Sequence, residues 1–266
     1  MNDSFTLVSV RIPKAQQLDA PHFRHLTKAA YDSVFDAIGS SHLVRVWNFI
    51  PGILEPLGNL PQRYMEFNGA RHEAYAGRYN GSDTFSERVA TASGVGSTGD
   101  DFELHALATI KGGQAVENPR QKSSYQYSRS YGPLPPCFAR ATRLGEPAVS
   151  SARLLVGGTA SIRGETTIHL GDLESQTQET LLNLAAVVSS GLDAPNLDFE
   201  DPETRRSLLS RYRHLRVYYT RPDDFDTVSK QVVEAFHGAE RIELARADLC
   251  REGLLIEIEG WADLGE

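Results

Sequence analysis

The chain reads as an α+β protein built from two pseudo-repeated β-α-β-α-β-β units, each a sheet with helices on one face. Three observations lead there. Strand-like and helix-like runs alternate from end to end, with no low-complexity segment. The run "HLVRVWNFIP" at 42–51 is echoed by "HLRVYYTRP" at 214–222, and each opens His-Leu, carries an arginine followed by valine, places aromatics next and closes on proline. Because the echo falls at the same place in both halves, an internal duplication is favoured over two unrelated α+β domains. Finally, two helices per unit cover only one face of a sheet, so the other face must pack against something. The units are expected at 1–132 and 133–266.

The elements follow in order. "SFTLVSVRIP" alternates like a strand. In "APHFRHLTKAAYDSVFDAIGSS", Leu26, Ala29, Ala30, Val34 and Ile38 recur at helical spacing, and Gly39 is the stop. A strand, "HLVRVWNFIPGI", a Pro/Gly-rich loop and a helix, "QRYMEFNGARHEAYAGRY", come next. "RVATASGVGS" and "DFELHALATI" close the first unit as strands. The second opens on strand-like "CFARATRL" and "AVSSARLLVGGTAS" and continues with the helix "LESQTQETLLNLAAVVSSG". The strand "HLRVYYTRP", the helix "DDFDTVSKQVVEAFHG" and the strands "RIELARADL" and "LLIEIEGWA" complete it. On that last strand Leu254, Ile256 and Ile258 share one face, and Leu255, Glu257 and Glu259 the other. With the first set toward the helices, the carboxylates face a cleft between units or subunits, a common location for ligands.

Composition excludes several classes. The 266 residues are 40% hydrophobic and 23% charged, with a net charge of -8 and no basic cluster, which argues against a nucleic-acid partner. No window approaches the ~18 apolar residues of a membrane span, and the N-terminus lacks the pattern of an export signal. Two cysteines, Cys137 and Cys250, make neither a disulfide framework nor a zinc quartet, so reduced thiols in the cytoplasm are expected. The eight histidines show no metal-binding spacing, and "LLVGGTAS" lacks the spacing of a phosphate loop.

Between the units runs "ENPRQKSSYQYSRSYGPLPPCFARATRLG". Asn118-Pro119-Arg120-Gln121, Tyr125, Tyr127, Tyr131-Gly132-Pro133 and Phe138-Ala139-Arg140-Ala141 resemble the chorismatase family of secondary-metabolism enzymes. "VRVWNFIPGI", "FNGARHEAYA", "LLVGGTASIRGE" and "ADLCREGLLIEIEG" agree in order, so the likeness covers nearly the whole chain. The resemblance implies the fold of the Rid-type imine deaminases and aroH-type chorismate mutases. It also implies cleavage of chorismate to pyruvate and either a dihydroxycyclohexadiene carboxylate or a hydroxybenzoate, without metal or organic cofactor. The family's general acid matches Glu257. A cysteine at Cys250 resembles the branch that makes 3-hydroxybenzoate. Family members extend further at the N-terminus, so the first unit is expected to lack its opening strands, and either a homo-oligomer or another segment to cover the gap. Arg163 and Glu165 stand where the family pattern has an apolar residue and a histidine, which raises an amino-substituted chorismate relative as an alternative substrate. A non-catalytic small-molecule-binding subunit of the same fold is the other alternative.

The chemistry assigns roles. Protonating the enol methylene of chorismate needs a carboxylic acid still protonated near pH 7, which desolvation supplies. Glu257 is that candidate, with Glu259 the fallback, expected nearer solvent. A dicarboxylate substrate needs guanidinium forks. Arg71 and Arg120 are the first candidates, Arg153 and Arg163 the next. One of Tyr125 and Tyr131 is expected to contact the ligand, and the Gly157-Gly158 pair to allow close approach near the Thr159 and Ser161 hydroxyls. Around Cys250 nothing names a base, so a steric or polar role beside the ring, or plain burial, suits it better than nucleophilic attack.

Overall fold

The structure, a computed structural model, describes residues 4–145, 152–194 and 196–265. The first unit runs β1 (Phe5–Ile12), α1 (Ala20–Ile38), β2 (His42–Pro51), α2 (Arg63–Tyr79), a single-turn α3 (Phe85–Arg88), β3 (Thr91–Ser97) and β4 (Phe102–Thr109). Its sheet has the order β1-β4-β2-β3, with β2 and β3 parallel and the other neighbours antiparallel. The next strands are β5 (Gln114–Val116), β6 (Ala141–Leu144), β7 (Arg153–Ala160), β8 (Ile162–Arg163) and β9 (Thr166–Thr167). They are followed by α4 (Leu173–Gly191), α5 (Pro202–Leu209), β10 (Tyr212–Tyr219), α6 (Phe225–Ala235), β11 (Arg241–Arg246) and β12 (Ile256–Asp263).

The second sheet has the order β11-β10-β12-β7-β6-β5. Its core β7-β12-β10-β11 reproduces β1-β4-β2-β3 position for position, including the one parallel pair, β10 with β11. The sequence echo lies on β2 and β10, which occupy the same place in the two sheets. Duplication is thus visible in topology as well as in sequence. β5, upstream of 132/133, already pairs in the second sheet.

Local chemistry explains the boundaries and the departures. Asp19 caps α1 by accepting from His22 N, and Gly39 ends it with φ 56°, a left-handed-side conformation that costs glycine least. The buried stripe of α1 is Phe23, Thr27, Ala30, Tyr31, Val34, Phe35 and Ile38; Leu26 is exposed. Leu26 lies to one side of the stripe that runs through Phe23, Thr27, Ala30 and Val34. "CFARATRL" becomes a strand only from Ala141, because the preceding backbone bonds to the first unit, with Ala139 N donating to Ala90 O at 3.1 Å. Residues 148–151 of the expected next strand lie outside the described residues. The two-residue strands β8 and β9 and the largely polar α5 carry too little periodicity to be anticipated.

α1 and α2 cover one face of the first sheet, and α4 and α6 one face of the second, each over its own apolar core. The opposite faces turn toward each other around Val95, Ala160, Ile162, Tyr218, Leu249 and Leu254. Here the alternation of the last strand differs from expectation. Ile256 and Ile258 face the helices, but Leu254 packs between the sheets and Leu255 joins the helical core, because regular strand pairing begins only at Ile256. Gly157 on β7 meets β3 so closely that a Cβ there would lie 2.7 Å from Ala92 O. Among the described residues no helix is long and apolar enough to cross a membrane.

Candidate active site

Period-two alternation on β12 sends Glu257 and Glu259 away from the helices, and both are buried, at 4% and 3% exposure. Glu257 enters a cavity of about 50 Å³ at the junction of the two units. Tyr64 and Met65 of α2 form one wall, and Tyr127, Tyr131, Phe138 and Arg140 of the 117–140 segment another; Gly158, Cys250 and Arg251 close it around the acid. The register of β12 against β7 shifts between Ile258 and Gly260, a bulge at the Gly-Gly pair. A Cβ on Gly158 would overlap Glu257 Oε1, so the missing side chain makes room for the carboxyl. The close approach enabled by the pair is therefore between parts of the chain itself: Gly157 to β3 and Gly158 to the acid.

Burial is the main cause that raises Glu257 to about 8, with the Glu259 charge adding and Arg45 and Arg251 opposing. A carboxylic acid that holds its proton at neutral pH is the electrostatic requirement for donating one. Burial and the nearby Glu257 push the Cys250 thiol up to about 12, so it is a neutral thiol beside the acid.

The candidate arginines differ in where their guanidinium groups lie. Arg120 has its guanidinium filled: Nη2 donates to Glu179 at 2.7 Å, Nε to Asn183 Oδ1 at 3.0 Å and Nη1 to Glu200 at 3.3 Å. With Asn118 Nδ2 donating to Asn183 O and Gln121 Nε2 to Ile162 O, the Asn-Pro-Arg-Gln motif anchors the 117–140 segment to α4 and β8. Arg163 pairs with the same Glu179, and Arg153 with Asp263 at the far end of β12; neither lines the cavity. Arg71 is buried in the first unit behind Phe138, over the Phe67 and Phe138 rings, with Nη2 donating to Asn68 Oδ1 and Nε without a partner.

Arg140 and Arg251 do line the cavity. Arg140 Nη2 donates to Tyr127 Oη at 2.6 Å and Lys122 O at 2.8 Å, and its Nε is buried without a partner. The guanidinium of Arg251 sits 3.9 Å from the Tyr131 ring centroid, and its Nη1 donates to Glu165 O at 2.7 Å. Among the described residues no carboxylate lies within 4.0 Å of either guanidinium. Both stood inside the quoted motifs, yet spacing alone cannot tell which arginine of a motif turns inward.

The remaining candidates also sort by geometry. Tyr131 lines the cavity, with the Tyr127 ring 5.4 Å away and tilted 48° to it, whereas Tyr125 packs against the first unit's core. Thr159 donates to Gly157 O and Ser161 to Ile168 O, so both hydroxyls serve their own loop and neither lines the cavity. Glu165 points outward to Lys122 Nζ and Ser128 N, so neither it nor Arg163 offers a side chain to a ring in the cavity. Among the described residues no three His, Cys, Asp or Glu side chains converge on a metal position. A roomier groove of about 560 Å³ lies between the open sheet faces, and its carboxylates, Glu243 and Glu259, are paired with Arg216 and Arg45.

Comparison with known proteins agrees with this geometry. Residues 1–108 match the family model described as "Chorismatase FkbO/Hyg5-like, N-terminal". A chorismatase of Streptomyces rapamycinicus is 34% identical over 238 residues, 88% of this chain and 69% of the relative. A 3-hydroxybenzoate synthase of Streptomyces hygroscopicus is 35% identical over 244 residues, 90% of this chain and 69% of the relative. A crystal structure of a chorismatase superposes with a TM-score of 0.81 at 31% identity, covering 98% of this chain and 75% of that one. The chain belongs to the chorismatase family.

Proposed function

We propose that this protein cleaves the enolpyruvyl ether of chorismate, releasing pyruvate and a hydroxybenzoate, with Glu257 as general acid. The observation that carries the reading is the pairing, in one cavity, of a glutamate raised to about 8 with two arginines that have no carboxylate in direct contact, the buried carboxylate of Glu117 acting on the Arg140 guanidinium only through its charge. Glu257 donates its proton to the enol methylene carbon, giving an oxocarbenium ion, after which the ether bond breaks. Arg140 and Arg251 hold the two carboxylates through charge-assisted hydrogen bonds, and the Tyr127 and Tyr131 rings fix the guanidinium planes. The atoms close, because pyruvic acid and a hydroxybenzoic acid together hold those of chorismic acid; for the 3-hydroxy isomer the ring hydroxyl beside the ether carbon must also leave or migrate to that carbon as the ring loses a proton and aromatises. Cys250 stands against the ring's path as a neutral thiol. Together with the 3-hydroxybenzoate synthase named above, it supports 3-hydroxybenzoate as the product.

Two free cysteines suit a reducing, cytoplasmic setting. The outer edge of β1, with Phe5 and Leu7 exposed at 50% and 64%, supports a homo-oligomer, which light scattering measures directly. The activity is tested by adding chorismate and following pyruvate with lactate dehydrogenase, the aromatic product being separated by chromatography. Glu257→Gln should lower turnover about 100-fold or more. A wild-type protein that binds chorismate without releasing pyruvate refutes the reading in favour of a binding subunit.

A further inference from the structure

Glu259 lies two residues beyond Glu257 on the same face of β12, buried, and outside the acid's cavity. Instead of nearing solvent, its Oε2 accepts from Arg45 Nη2 at 2.6 Å and its Oε1 from the Tyr218 hydroxyl at 3.1 Å. Arg45 comes from β2 of the other unit, and the two side chains are only 3% and 4% exposed. The same Nη2 donates to Ser93 Oγ at 2.6 Å, and Gly158 N donates to that oxygen at 2.9 Å. Gly158 is the residue over which the Glu257 carboxyl lies. The pair therefore reaches the acid by two routes, along β12 and through Ser93 and Gly158.

A buried ion pair returns little net stability, since desolvation offsets most of its attraction. Its position suggests a different use. Each partner alone acts on the acid in the opposite sense: the Glu259 charge favours the protonated form, and the Arg45 charge favours the carboxylate. We propose that Arg45 and Glu259 are positioning residues for Glu257: their pair locks β12 against β2 so that the acid lies over Gly158, and it keeps Arg45 bound to Glu259 rather than to Glu257. The proposal rests on the reading of Glu257 as the acid. The titratable or charged groups facing Glu257 are Glu259 on its own strand, Arg45 from β2, Tyr218 from β10, Tyr64 from α2, Cys250 and Arg251 from the preceding loop, and Tyr127, Tyr131 and Arg140 from the 117–140 segment.

The test is the pH dependence of kcat/KM for chorismate between pH 6 and 10 in Glu259→Gln, Arg45→Met and Arg45→Lys. Glu259→Gln removes the neighbouring negative charge and frees Arg45, so the alkaline limb should move down by about one pH unit or more, with the rate at pH 6 better preserved than at pH 8. Arg45→Met removes a cation, so the limb should move up; Arg216, 3.9 Å from Glu259 Oε1, remains to hold the glutamate's charge. Arg45→Lys should return the limb toward the wild-type position. A purely structural pair would lower the rate alike at every pH. Limbs that stay within about 0.3 unit of wild type, or that move in the same direction, overturn the proposal. If one of Glu259→Gln and Arg45→Met fails to fold, the other decides by the direction of its shift. Failure of the acid assignment reads separately, because Glu257→Gln would then retain turnover whatever the pair does.

Discussion

The alkaline limb of the wild-type rate profile is the most demanding check on the site. Glu257 is raised by burial from 4.5 to about 8. A carboxyl at 4.5 is protonated in only about one molecule in 300 at pH 7, whereas one near 8 is protonated in about nine of ten. The cavity thus supplies a ~300-fold larger population of the acid at neutral pH. The profile of kcat/KM should be flat from pH 6 to 7, bend near 8 and fall tenfold per unit above it. The neighbouring Cys250 thiol, up at about 12, does not titrate in that window. Stability gives an independent readout with a defined sign. Between about 4.5 and 8 the native state keeps a proton that the unfolded chain has lost, so this group's contribution is full below 4.5 and is lost as pH rises to about 8. Glu257→Gln, which has no such loss, should therefore melt higher than wild type at pH 8, by a margin on the order of a few kcal/mol at most, while losing turnover. A bend below pH 6, or a variant that melts lower at pH 8 than at pH 5 by the same amount as wild type, would refute the buried-acid account.

The other expectations are shorter. Arg251→Lys and Arg140→Lys should each weaken chorismate binding by roughly 1.5–3 kcal/mol, the range for hydrogen bonds to charged groups, and weaken 3-hydroxybenzoate less because it has one carboxylate fewer; equal losses for both ligands in competition assays would assign these arginines a structural role. Arg120→Ala should act on folding instead, costing about 3 kcal/mol by leaving buried Glu179 with only the exposed Arg163, read as a lower melting temperature. Gly157→Ala should destabilise by about 1–3 kcal/mol, since its Cβ meets backbone that cannot swing aside, and an unchanged denaturant midpoint would show that the sheets can separate there.

The order of strands and helices was legible because each carries its own period, and the repeat because a His-Leu start followed by Arg-Val recurs at β2 and β10. The burial of Glu257 in the cavity was legible for a related reason: alternation on β12 fixed its face, and a motif singled it out. Which arginines line the cavity was not. Arg71 and Arg120 carry the residue type the chemistry needs, but Asn68, Asn183 and Glu179 meet them first, and those partners are brought in by α2 and α4. Arg140 and Arg251 converge only when the 117–140 segment folds across the end of β12, a long-range event that no local spacing encodes. Thr159 and Ser161 were taken up by carbonyls within their own loop, the usual competitor for a hydroxyl near a turn.

The matching order of the two sheets has a consequence for how many reactions one chain can run. Arg45 on β2 is in register with Leu107 of β4, while its counterpart Arg216 on β10 is in register with Glu259 of β12. Two residues on, Trp47 faces His105 where Tyr218 faces Glu257. The first copy thus carries the arginine without either carboxylate, and that arginine reaches across to the other copy's glutamate. A symmetric pair of identical units would crowd four acids at one seam, and like charges there would repel. Joining the copies in one chain let them diverge, so that one contributes acid and the other counter-charge. Such division of labour leaves a single reaction centre per chain, and active-site titration should find one, however many chains assemble.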